Sequence, residues 1–235
     1  MTRPKFLVPS LTCLVLSSTQ AAITYVDAVK GPGGNTYATG GSLGDTSWVN
    51  TVNTGGDEFE WVERPFANNA TVFQAFHETV TADTMPELTT TITGLSDGIY
   101  QLYVFYWDQV TSDTQNWIIS AGLTSGSLTS YRSPGQPAVA GTVTTNVVSA
   151  TALSFAAPAP ITTETVNREM FAIDLGQVTV SGGSPISVYL DNLIGNGSNN
   201  RAWYDGVGYE FVGVPEPSSA LLLGLGALVL AGRRR

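Results

Sequence analysis

Residues 86–108 read PELTTTITGLSDGIYQLYVFYWD, and the alternation within them decides the fold class. Thr89, Thr90 and Thr91 are β-branched and suit a strand. Gly94-Leu95-Ser96-Asp97-Gly98 supplies a turn with two residues free to take positive φ. In the run that follows, Ile99, Tyr103, Phe105 and Trp107 share one face with Gln101, while Tyr100, Leu102, Val104 and Tyr106 share the other. Both faces are apolar. The spacing therefore predicts a hairpin whose second strand is central to a sheet and covered on both sides.

The same texture continues along the chain. Aromatic or alternating runs at 23–29, 59–62, 70–78, 88–93, 99–107, 117–121, 128–131, 169–175, 186–190 and 208–212 are separated by Gly, Asn, Asp, Ser or Pro. About ten short strands at this spacing predict an all-β sandwich. Residues 132–165 are richer in Pro, Ala and Thr and are expected to be a long excursion within one domain, with a strand-like piece at 150–155.

At 235 residues, the length fits one domain with appendages. Charged residues make up only 12 % of the chain, about half the usual share. Between Ala22 and Glu216, five basic residues face nineteen acids, a net charge of −14. Such a surface repels phosphate and argues against a nucleic-acid partner, but it attracts cations, divalent metals among them. Cys13 is the single cysteine and lies in the leading apolar run. The exported form then has no disulfide, zinc–thiolate site or cysteine nucleophile.

Both ends read as address labels. The first 21 residues have a basic start (Arg3, Lys5), an apolar run from Phe6 to Leu16 and the small-residue exit Thr19-Gln20-Ala21. They are expected to form a helical signal peptide cut by signal peptidase after Ala21. At the other end, Pro215-Glu216-Pro217 precedes an uncharged run from Ala220 to Gly232 and then Arg233, Arg234 and Arg235. Thirteen residues of helix span about 20 Å, short of a hydrocarbon core of roughly 30 Å. A short hydrophobic helix, transiently anchored with its arginines on the cytoplasmic side, is expected. The triplet, the apolar span and the arginine cluster occur in this order in PEP-CTERM sorting signals, and residues 213–235 resemble one. That resemblance implies export, processing by an exosortase-like enzyme, and a place in the cell envelope or extracellular matrix of a bacterium that makes exopolysaccharide. The expected organisation is thus signal peptide 1–21, sandwich 22–212 and sorting tail 213–235.

For chemistry, the polar stretch Asp108 to Trp117 (DQVTSDTQNW) is flanked by Trp107 and Trp117. Rings beside Asp108 and Asn116 are what a sugar site uses, the ring for the C–H face and the polar groups for hydroxyls. Both tryptophans serve equally well as core. Trp48 follows the Gly-rich GSLGDTS, read as a loop, and is expected to be exposed. A hydrolase would need other groups. His77 is the single histidine, no G-x-S-x-G elbow occurs, and Glu58 and Glu60 share a strand face at about 7 Å. Alternating acids on a strand are usually solvated.

The 86–108 segment, NWIISAGLTSGSLTSY (116–131) and RAWYDGVGYEF (201–211) together resemble galactose-binding-like jelly-roll sandwiches. The resemblance implies a carbohydrate-binding or adhesive module. It also implies a structural calcium near Asp205, the acid preceding the last strand, with Asp27 nearby if the first and last strands pair. The combined expectation is an exported, non-catalytic jelly-roll-like protein that binds or organises extracellular polysaccharide. A secreted carbohydrate-active hydrolase and a purely structural coat protein are the alternatives.

Overall fold

The computed structural model describes residues 22–30, 36–38, 44–47, 61–66, 70–77, 87–109, 116–134, 143–165, 167–192 and 200–214. The predicted signal peptide, the hydrophobic run 220–232, the sorting triplet, Trp48, Glu58 and Glu60 lie outside these residues. In chain order the strands are β1 (Thr24–Asp27), β2 (Val29–Lys30), β3 (Thr36–Ala38), β4 (Gly44–Ser47), β5 (Val62–Phe66), β6 (Ala70–His77), β7 (Leu88–Ile92), β8 (Gly98–Gln109) and β9 (Asn116–Trp117). They continue with β10 (Ile119–Gly122), β11 (Thr129–Tyr131), β12 (Val143–Thr144), β13 (Val147–Ser149), β14 (Thr163–Thr165), β15 (Arg168–Val180), β16 (Ile186–Asp191) and β17 (Asn200–Gly213).

Two sheets form the sandwich. The first runs β13-β15-β8-β17-β6-β5, with β1 and β9 also on β17 and β14 on β15; the second runs β12-β11-β10-β16-β7-β4-β3-β2. As the alternation predicts, β8 is central and buried on both faces. Tyr100, Leu102, Val104 and Tyr106 join a core with Leu88, Ile92, Val188 and Leu190 from the facing sheet. Tyr103, Phe105 and Trp107 join a second core on the outer face, with Met170, Trp203, Leu153 and Phe155.

The expected hairpin is not one. β7 pairs with β16 and β4, whereas β8 pairs with β15 and β17, so the 93–97 turn carries the chain from one sheet to the other. A Gly-rich turn serves an arch between sheets as well as a tight hairpin; which one forms is decided by which partners bury the flanking strands. Two local expectations change as well. Gly44–Ser47, read as a loop, is strand β4, held by its pairing with β7. Ala150–Ala152 is a 3-10 turn rather than a strand, capped by the Ser149 hydroxyl accepting from Thr151 N–H.

The excursion after residue 132 covers the outer core. Ile23 N–H donates to Ser154 C=O and Ala156 N–H to Ile23 C=O, both at 2.9 Å. Met170 N–H donates to Thr162 C=O at 2.9 Å, which fixes the far end of the 154–162 segment. Phe155 packs against Phe105 and Tyr25, with ring centroids 5.5 and 6.4 Å apart.

β17 is the crowded strand. It has β8 on one side and β6 and β1 on the other. A Cβ added at Gly206 would lie 2.3 Å from the Val26 carbonyl oxygen, and one at Gly208 would lie 2.6 Å from a Phe105 ring carbon. Backbone cannot yield as a side-chain tip can. Gly206→Ala is therefore expected to destabilise the fold by on the order of 2 kcal/mol, a fall of about 4–8 °C in Tm. Gly213→Ala, where a Cβ meets nothing within 4 Å, should leave Tm within about a degree. Equal melting of the two variants would contradict this packing.

Candidate functional site

The pairing of β8 with β17 slips by one residue between Tyr204 and Gly206, which face Tyr106 and Phe105. Asp205 is the extra residue of this bulge. Bulges re-aim a side chain without breaking the sheet. Here the carboxyl turns to the outer face, where Trp107 Nε1 donates to Asp205 Oδ1 at 3.1 Å. β1 lies against the same stretch of β17, with Asp27 opposite Gly206. Alternation places Tyr25 and Asp27 on one face of β1. Tyr25 Oη donates to Asp205 Oδ2 in a short contact and lies 3.3 Å from Asp27 Oδ1. The first and last strands thus bring Asp27 and Asp205 to a common tyrosine.

These groups floor a cleft of about 250 Å³, walled on the other side by Pro158, Ala159, Pro160 and Ile161. Asp205 is 3 % exposed. Its carboxyl is pushed up to about 7, first by burial and then by the charge of Asp27, against the hydrogen bonds from Tyr25 and Trp107. The Tyr25 hydroxyl is raised well above its usual value by burial and by the charges of Asp205 and Asp27, so it remains a donor.

The other candidates separate from this cleft. Trp117 is 2 % exposed and packs edge-to-face on Trp203, with ring centroids 4.9 Å apart. Trp203 is further covered by the Arg168 guanidinium, 4.5 Å from its ring centroid. Trp117 therefore presents no free face to a sugar. Trp107 is 1 % exposed and tilted against Phe66 at 4.6 Å, so it offers the cleft an edge and its N–H bond rather than a stacking platform. Asp108 is 1 % exposed and faces away from the cleft, toward the core between the sheets. It accepts from Gln109 N–H at 2.5 Å and Ser133 N–H at 3.1 Å, pinning the end of β8 to the start of the excursion. Burial pushes its carboxyl up to about 7 despite these bonds. Asn116 pairs with Asn200 in β9, and His77 ends β6 opposite the same residue. The sequence reading left out Tyr25 and residues 158–161; the signal for Tyr25 was its place two residues before Asp27 in a strand.

Calcium takes six to eight oxygen ligands. The cleft supplies two carboxylates, and the described residues hold no group of three or more Asp, Glu, His or Cys placed to bind a metal. The Asp205 carbonyl accepts from Ala28 N–H at 2.9 Å. The described lining does not complete a calcium shell.

β17 ends at Gly213, where the tail begins. Residues 213–235 match the PEP-CTERM protein-sorting motif. The chain thus carries the mark of an exported protein sorted by an exosortase-type enzyme, as the triplet, apolar span and arginines implied. No curated protein matches the sequence. Among the described residues no helix is long and apolar enough to cross a membrane.

Both buried carboxyls hold a proton in the folded protein that the unfolded chain releases near pH 4. Folded protein then binds more protons than unfolded between roughly pH 4 and pH 7. Stability falls as pH rises through that window and levels off above it, by at most about 4 kcal/mol per group. Asp205→Asn mimics the neutral form, so its Tm relative to wild type should climb from about pH 5 to about pH 8. A pH-independent difference would show that Asp205 ionises as an exposed carboxyl does.

Proposed function

We propose that the sandwich is a non-catalytic module that binds extracellular polysaccharide, with the cleft between Asp205 and residues 158–161 holding one sugar unit of the chain. The cleft itself supports this reading. It is the size of a small polar ligand and pairs carboxylate acceptors for hydroxyls with an apolar wall of proline and isoleucine for the C–H face. The module is delivered by its tail. Signal peptidase removes the leader, the hydrophobic run holds the protein transiently in the inner membrane, and the exosortase-type enzyme releases it to the cell surface or matrix.

A hydrolase is the second reading, because glycoside cleavage uses a pair of carboxyls, one of them kept protonated. On this fold the pair would be Asp27 and Asp205, with Asp205 as the proton donor. Their sharing of the Tyr25 hydroxyl favours binding, since each carboxyl already has an oxygen on that donor.

A glycan array probed with the full chain should show retention that Asp205→Asn weakens by on the order of tenfold, with no release of reducing sugar from the bound glycans. Reducing-sugar release that Asp205→Asn abolishes would favour the hydrolase, and no retention at all would favour a coat protein. For delivery, replacing Pro215, Glu216 and Pro217 together by alanine should leave unprocessed protein in the membrane fraction. Normal processing of that variant would remove the triplet from the recognition step.

A further inference from the structure

The lining of the cleft is one-sided in its hydrogen bonding. Besides a protonated Asp205, two side chains there can donate, the Tyr25 hydroxyl and the Trp107 indole N–H, and both are engaged by Asp205. Pro158 and Pro160 have no N–H at all. Asp205 accepts at its carboxyl from these two side chains and at its backbone carbonyl from Ala28 N–H, with the Tyr25 hydroxyl 3.3 Å from that carbonyl. A carboxylate has about four lone-pair sites, so its own oxygens retain capacity. A ligand in this cleft must therefore bring donors. A carboxylate or sulfate would meet the negative charge of the aspartates, and an acetyl carbonyl would find Tyr25 and Trp107 already donating to Asp205.

The electrostatics narrow the class further. Two carboxyls converge on one hydroxyl, and among the described residues no basic one lines the cleft. The surrounding chain, from Ala22 to Glu216, carries nineteen acids against five basic residues. A cation placed between Asp27 and Asp205 would relieve their mutual repulsion, and the long-range field would draw it in. Hydroxyls satisfy the lone pairs but leave Asp205 to relieve that repulsion by keeping its proton, up to about pH 7. An ammonium group does both, with three donors on one centre.

We infer that the cleft selects a sugar bearing a free amino group, so that the polysaccharide recognised is one with unacetylated hexosamine units. This rests on the reading of the cleft as a sugar site. The amine sits between the two carboxylates, and the apolar wall at 158–161 covers the ring. Acetylation removes the charge and puts a carbonyl and a methyl where the carboxylates need donors.

The test is titration of the full-length protein with three tetrasaccharides at near-neutral pH and low salt: glucosamine, N-acetylglucosamine and glucose oligomers. The glucosamine oligomer is expected to bind on the order of tenfold more tightly than the other two, with the advantage shrinking as salt is added. Asp205→Asn should erase the preference, and Asp27→Asn gives the same readout should the first variant fail to fold. Equal binding of all three, or tighter binding of the acetylated or neutral oligomer, overturns the amine selection and leaves the sugar site standing. Binding of none of them overturns both.

Discussion

The site hangs on a steric constraint in β17. That strand runs between β8 and β1 with no room for a side chain at Gly206 or Gly208. Close approach of β1 is what places Tyr25 beside Asp205. The bulge leaves the Asp205 carboxyl on the outer face, toward β1 and Trp107, and resets the register of the residues beyond it. A regular ladder through Tyr204, Asp205 and Gly206 would send alternate residues to opposite faces and shift every residue beyond by one. The bulge absorbs that shift: Tyr204 and Val207 both remain in the core between the sheets while Asp205 joins the outer face.

How much of this was legible follows from what each signal encodes. The double-faced alternation of 99–107 fixed β8 as a buried central strand, because period-two burial depends on the residues of that strand alone. Partner choice depends on the whole chain, so the GLSDG turn could not say whether its flanking strands pair or part. The pairing of the first and last strands followed only as a condition, and Asp27 with Asp205 came with it. Bulges leave no reliable mark in a single sequence. Asp205 in WYDGVG read as the acid before a last strand at 208–212, and its meeting with Trp107 was hidden. Residues 158–161 were opaque for a different reason. Their composition says only that they are not a regular strand, and their place over the outer core is dictated by Ile23, Phe155 and Met170.

The tryptophans show the limit of composition as a guide to function. Trp107 and Trp117 flank a polar stretch, which is the pattern of a sugar platform. In the fold, their faces are taken by Phe66 and Trp203, because the outer side of β8 has to be covered and large rings cover it with the fewest residues. What the cleft keeps of Trp107 is the indole N–H, a polar contribution from a residue chosen for its size.

The two buried carboxyls that sit near 7 separate structure from function. Asp108 accepts from the backbone N–H groups of Gln109 and Ser133, and it ties a strand end to a neighbouring segment. An asparagine there would keep an acceptor for one of them, and the cleft would not change. Asp205 is held by two side chains that have no other recorded acceptor in common, Tyr25 and Trp107, and all three face an open volume. Burial of a charge costs stability in both places. At Asp108 the return is a fixed chain path. At Asp205 it is a join between β1, β8 and β17 on the outer face of the sheet.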